Sequence, residues 1–184
     1  MFLEDVVIPD HLRIDEVGAG WKVAMSTLTS ERGAAQGVGA VASSASPFAA
    51  IEQLIGYAKS TRRNGKTLWE NPIWRDKLVK LYERTEASSQ HFRRARINSL
   101  NGGAMRIPLQ GKLTGSELGQ ELHQVALAML GLESSLYVGD PNAVDDGKWG
   151  LGYMNSYTGT ISGGSREIQR NILGERVLGL PKTR

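Results

Sequence analysis

The sequence predicts an all-α chain: an up-and-down four-helix-type bundle with a short N-terminal strand and a C-terminal helix. Three observations predict it. Apolar residues recur at three- and four-residue spacing through long stretches, with charges on the intervening faces. Turn signals such as Asn64-Gly65, Asn71-Pro72 and Asn101-Gly102-Gly103 punctuate those stretches. Strand-like alternation is confined to the first few residues.

That opening segment, Phe2 to Ile8, contains Val6, Val7 and Ile8 and is stopped by Pro9, which cannot donate to a ladder. A lone strand is not stable, so it is expected to pair with something beyond these residues or to lie across the helices. Gly18 and Gly20 mark a turn into a helical pattern from Trp21 to about Lys59, carried by Val23, Leu28, Ile51, Leu54, Ile55 and Ala58. A run of small residues, Gly33 to Ala50, interrupts it, with Gly at 33, 37 and 39. Each Gly costs a helix interior about 1 kcal/mol relative to Ala. Close helix contact, a break near Pro47, or a ligand passing near the backbone would each account for the run.

Pro72 belongs in the first turn of the next helix. Trp74, Leu78, Leu81, Tyr82, Phe92 and Ala95 form its apolar stripe; Arg75, Lys77, Lys80, Arg84, Arg93, Arg94 and Arg96, interleaved with acids, form the charged face. Asn101-Gly102-Gly103 ends that helix, and Pro108 is expected in the loop beyond. Leu113, Leu118, Leu122, Val125, Ala126, Met129 and Leu130 define a third long helix closed by Gly131. A turn-rich stretch and a short helix between Trp149 and Tyr157 follow. The last helix should run from an N-cap at Ser165 to about Val177, with Gly179 and Pro181 ending it.

Composition excludes several function classes. The 184 residues are 40% apolar and 22% charged, enough for a core and too apolar for a disordered chain. Without cysteine there is no disulfide framework, thiolate nucleophile or Cys-ligated metal. His11, His91 and His123 lie far apart, which gives no metal-ligand spacing. The first ten residues carry two acids and no basic segment ahead of an apolar run, unlike a secretory signal. With no long apolar run, no membrane span is expected, and a cytoplasmic location is the default. A net charge of +3, with acids among the basic residues and no stacking aromatics, argues against a nucleic-acid partner.

Two segments go further than periodicity. One is Thr27-Leu28-Thr29-Ser30-Glu31-Arg32-Gly33, preceded by Gly18-Ala19-Gly20-Trp21. The other runs from Ile161-Ser162-Gly163-Gly164-Ser165-Arg166-Glu167 through Ile168-Gln169-Arg170-Asn171-Ile172-Leu173 to Gly179-Leu180-Pro181. With the opening Phe2-Leu3-Glu4-Asp5-Val6-Val7-Ile8-Pro9, they resemble the acyl-CoA dehydrogenase family over the whole chain and in the same order. The C-terminal motif is the most specific part; residues 60–150 resemble it less.

The resemblance implies that residues 1–18 are the end of a middle β-domain and residues 19–184 a C-terminal helical bundle, part of a longer protein and inactive by itself. It implies FAD-dependent α,β-dehydrogenation of an acyl-CoA thioester, in which a carboxylate removes the α-proton while the β-hydride passes to the flavin. Such a base needs a dry pocket and a polarised carbonyl. Many members carry it directly before Gly-Thr in the C-terminal motif; here that position is Gly163. Others carry it on the first long helix directly before an Arg, which here is Glu31, with Arg32 holding it or lining the pocket. Taken alone, Glu31 and Arg32 are ordinary solvated helix charges. Ser165 and Glu167 match positions that contact the FAD adenosine side, although capping alone would also place them at a helix start.

One departure stands out. The Arg and Phe that reach a neighbouring subunit's flavin in the family correspond to Thr61 and Asn64. Arg62 becomes the candidate by a one-residue shift, with Arg63 as the other choice. The expected partners are an acyl-CoA substrate and further copies or relatives in a homo- or hetero-oligomer. The competing reading is a non-catalytic assembly module of a mixed oligomer.

Overall fold

A computed structural model describes residues 2, 4–28, 47–95, 97 and 106–182. Six helices follow one another among them: α1 over 20–28, α2 Pro47–Ser60, α3 Pro72–Ala95, α4 Arg106–Leu130, α5 Lys148–Ile161 and α6 Arg166–Ile172. A π-turn over Leu173–Val177 continues α6. The bundle expected from periodicity is present.

Local chemistry sets the helix boundaries. Pro47 and Pro72 each open a helix, where a missing N–H costs nothing. Asn71 adds a side-chain acceptor for the Ile73 N–H at 2.9 Å. Gly131, at φ 66°, ends α4 in the left-handed conformation expected of a C-cap. Gly147, at φ 70°, precedes α5, and a Cβ there would lie 2.5 Å from the Tyr137 backbone, so only glycine fits. Asn64 and Gly65, both at positive φ, close a hairpin of β1 (Arg62–Arg63) on β2 (Lys66–Thr67), with Arg62 opposite Thr67. Thr67 and Glu70 then form a reciprocal capping box over the turn Leu68–Glu70.

The core is one cluster. Ile51, Leu54 and Ala58 of α2, Leu78 and Leu81 of α3, and Leu118, Leu122, Ala126 and Met129 of α4 are buried together, with Trp149 of α5. α4 is the central element, touching α2, α3, α5 and α6. The Arg63 guanidinium donates to the Leu130 carbonyl at 2.7 Å, tying the hairpin to the end of α4.

Three expectations change. Residues 4–9 make no ladder, and Val6, Val7 and Ile8 stand exposed; among the described residues the sheet pairs β1 with β2 alone. Pro108 sits in the first turn of α4 rather than in a loop, a position proline tolerates. The short helix near Trp149 runs on to Ile161. The Gly33–Gly39 run, Asn101-Gly102-Gly103 and Arg96 lie outside the described residues.

The described basic residues of α3 are exposed, and two are paired: Lys80 with Asp76 at 2.8 Å and Arg84 with Glu121 of α4.

Truncating Leu81, 1% exposed, to alanine should cost about 2–5 kcal/mol in urea or thermal unfolding. Ile73→Ala, at a side chain 63% exposed on the same helix, should cost less than about 0.5 kcal/mol.

Candidate functional site

Between α5 and α6 the chain reverses through Ser162, Gly163, Gly164 and Ser165. Gly163 and Gly164 have φ of 66° and 99°, a region open to glycine and strained for other residues. At Gly164 an added Cβ would also stand 2.9 Å from the Gln169 amide nitrogen. At Gly163 it would meet only the Lys112 stem, at 3.7 Å, so backbone conformation rather than space selects glycine there.

Ser165 then caps α6 as its sequence suggests, its hydroxyl accepting from the Ile168 N–H at 3.4 Å. Glu167 lies in the first turn, paired with Arg166 at 2.8 Å. The Arg166 guanidinium, helped by the Glu167 backbone N–H and the Ser165 hydroxyl, holds the Glu167 carboxyl down at about 2. Ser165 and Glu167 border an open recess of about 400 Å³ that Gln120 and Gln124 of α4 and Tyr157 and Thr160 of α5 also line.

Two buried polar side chains that sequence reading passed over meet at this turn. Gln169, fully buried, donates from its amide nitrogen to the Gly163 carbonyl at 2.9 Å and more distantly to that of Gly164 at 3.5 Å. Its amide oxygen is buried without a partner among the described residues. Lys112, only 7% exposed, donates to the Gly159 carbonyl in the last turn of α5, and burial lowers its ammonium pKa. Nothing in the sequence pattern marks Gln169: Ile168 beside it is 47% exposed, and a single Gln on a short helix passes for a surface residue.

The structure does not bring every candidate together. Glu31 and Arg32 lie outside the described residues. Arg62 is exposed on the hairpin, one guanidinium nitrogen donating to the Gly65 carbonyl at 3.0 Å. Arg63, the alternative, is engaged at Leu130. That end of α4 lies roughly 9–15 Å along the axis from Gln120 and Gln124, so Arg62 is apart from the recess bordered by Ser165 and Glu167.

A family model described as "Acyl-CoA dehydrogenase, C-terminal domain" matches residues 18–178. The chain belongs to the acyl-CoA dehydrogenase family. Acyl-CoA dehydrogenase IpdE1 of Mycobacterium tuberculosis is 30% identical over 185 residues, covering 99% of this chain and 44% of that protein. Acyl-CoA dehydrogenase FadE26 of the same organism is 27% identical, over 98% of this chain and 45% of its own length. The chain therefore spans less than half of the curated relatives it matches. Among solved structures, the ChsE4-ChsE5 complex from M. tuberculosis superposes with a TM-score of 0.77 at 26% identity, over 96% of this chain and 45% of the other. Glutaryl-coenzyme A dehydrogenase shares the acyl-CoA dehydrogenase fold, with a TM-score of 0.76 at 20% identity over 98% of this chain and 43% of its own. No described helix is long and apolar enough to cross a membrane.

The carboxyl of Glu167 offers a direct check on the electrostatics of the turn. Its ionised form is favoured in the fold, so its contribution to stability is complete above about pH 4.5 and fades as pH falls toward about 2. Because the pair is exposed, salt should weaken it. In an NMR titration the Glu167 side chain should show a midpoint near 2, and Arg166→Ala should move it up toward 4.5.

Proposed function

We propose that this chain is the C-terminal domain of an FAD-dependent acyl-CoA dehydrogenase, and that Glu31 removes the α-proton of an acyl-CoA thioester during α,β-dehydrogenation. The observation that supports it most is the Gly163–Gly164 turn. Two successive glycines at positive φ present bare backbone at the point where many family members carry a carboxylate. A base supplied from the first long helix, with Arg32 lining the acyl pocket, makes that absence functional: the glycine leaves room for the acyl carbon that the Glu31 carboxylate must approach.

The residues around the recess suit one part of the cofactor. The Ser165 and Thr160 hydroxyls, the Gln120 and Gln124 amides and the Glu167 carboxylate are acceptors and donors for sugar hydroxyls and a purine edge. A carboxylate held ionised at Glu167 is unsuited to a phosphate. Ser165 and Glu167 are therefore assigned to the adenosine side of FAD. Bound FAD supplies the two-electron acceptor for the β-hydrogen.

Arg62 is assigned to a different copy's flavin, because it stands away from that recess on its own chain. This makes the working unit an oligomer. The similarity to a two-component complex favours a mixed one in which this chain contributes either a catalytic or a supporting half. Exposed Met154, Ile161, Leu178 and Leu180 on the α5–α6 side provide apolar surface for assembly. Residues 1–18 are assigned to the end of a β-domain, where exposed Val6, Val7 and Ile8 would find the strand partner they lack.

In the full-length protein carrying these residues, Glu31→Gln should lower kcat for acyl-CoA dehydrogenation by about 10²–10⁴-fold. Flavin absorbance should be retained. Turnover at the wild-type rate would overturn the assignment of the base.

A further inference from the structure

We propose that Gln169 is a positioning residue for the reaction assigned above, holding the Gly163–Gly164 turn from α6 while Lys112 holds the same segment from α4; the inference rests on that reading of the turn. Four polar or charged side chains are buried among the described residues: Thr85, Lys112, Thr160 and Gln169. The two threonines are satisfied within their own helices, Thr85 by the Leu81 carbonyl and Thr160 by that of Tyr157, both at 2.8 Å. Gln169 and Lys112 reach instead into the segment from Gly159 to Gly164.

Stability alone does not explain Gln169. Its amide oxygen is buried without a donor, a state that a hydrocarbon of similar size would avoid. What the amide accomplishes is done by its nitrogen, on the Gly163 carbonyl. No cis peptide bonds are present among the described residues, so fixing that carbonyl toward α6 turns the Gly164 N–H the opposite way, toward the side of the turn not occupied by Gln169. One side chain thereby orients the peptide plane that the acyl group would meet.

Lys112 acts at the other end of the segment. Its ammonium holds the Gly159 carbonyl, four residues before Gly163, and its stem lies under Gly163 itself. It forms no ion pair with a carboxylate among the described residues, so its burial is not explained by charge pairing. With glycines at 159, 163 and 164, the backbone has little stiffness of its own, and the two side chains supply it.

The test uses the full-length, flavin-loaded protein with Gln169→Leu and Lys112→Met, alongside Lys112→Arg and Glu31→Gln. Each of the first two should lower kcat about 10–10²-fold, with KM for the acyl-CoA turned over by wild type changed less than about threefold. Hydrogen exchange read by mass spectrometry should accelerate roughly tenfold across 159–168 and stay unchanged across 72–95. Lys112→Arg should recover most of the rate. Wild-type kcat in both variants, or unaltered exchange across 159–168, would overturn the proposal. If Gln169→Leu does not fold, Lys112→Met decides by the same two readings. Glu31→Gln should leave exchange across 159–168 untouched, so failure of the base assignment and failure of the positioning role give different patterns.

Discussion

The apolar surface of α4 is the constraint from which the rest of this structure follows. Its 25 residues make a rod of about 38 Å, and Leu118, Leu122, Val125, Ala126, Met129 and Leu130 are buried around more than one side of it. A stripe that wide cannot be covered by one neighbour. α3 packs along it on one side and α5 on another, while α2 and α6 close the remaining gaps. Burying six such side chains contributes on the order of 10 kcal/mol. The hairpin carrying Arg62 takes its place from the same helix, because Arg63 caps its last carbonyl.

α6 has the weakest claim to stand alone. Seven residues are too few for an isolated helix in water, so tertiary contacts must hold it. Its outward charges do little of that: the Arg166–Glu167 and Arg170–Glu117 pairs are partly or well exposed, and such pairs contribute about 0–1 kcal/mol each. The inward amide of Gln169 and the Ser165 cap fix where the helix begins. The part of the fold nearest the proposed chemistry is thus set by a few directed polar contacts rather than by apolar area. Directed contacts also fix orientation, which burial cannot.

That contrast explains what was legible in the sequence. The long helices were, because Leu78 and Leu81, or Leu118, Leu122, Val125 and Met129, repeat the helical period and are buried accordingly. Caps were legible where one residue type has one use, as with Pro72, Gly131 and Ser165. The strand reading of Val6 to Ile8 reported a real propensity, but a ladder needs a second strand and propensity cannot supply one. At the site, Ser165 and Glu167 were found through the C-terminal motif and do border a recess. Gln169 and Lys112 were not found. A lone Gln on a helix and a Lys ahead of an apolar stripe both pass for surface residues, and only the turn between α5 and α6 brings them to the same six residues of backbone.

The turn also bears on why a family base would be carried elsewhere. A glutamate at Gly163 would have to hold φ near 66°, which costs an L-residue roughly 1–2 kcal/mol, although the space for its Cβ exists. Its stem would start 3.7 Å from that of Lys112, placing the carboxylate near a buried ammonium. Such a neighbour favours the ionised carboxylate and weakens it as a proton acceptor. A general base for a weakly acidic C–H needs the opposite, a pKa raised by a dry and uncharged setting. Lys112 and a carboxylate at 163 therefore make a poor pair, whereas Lys112 beneath a glycine can brace the backbone without lowering the basicity of a group attached to it. The bare turn and the buried lysine thus belong together, which agrees with the proposal that the base is carried on another helix.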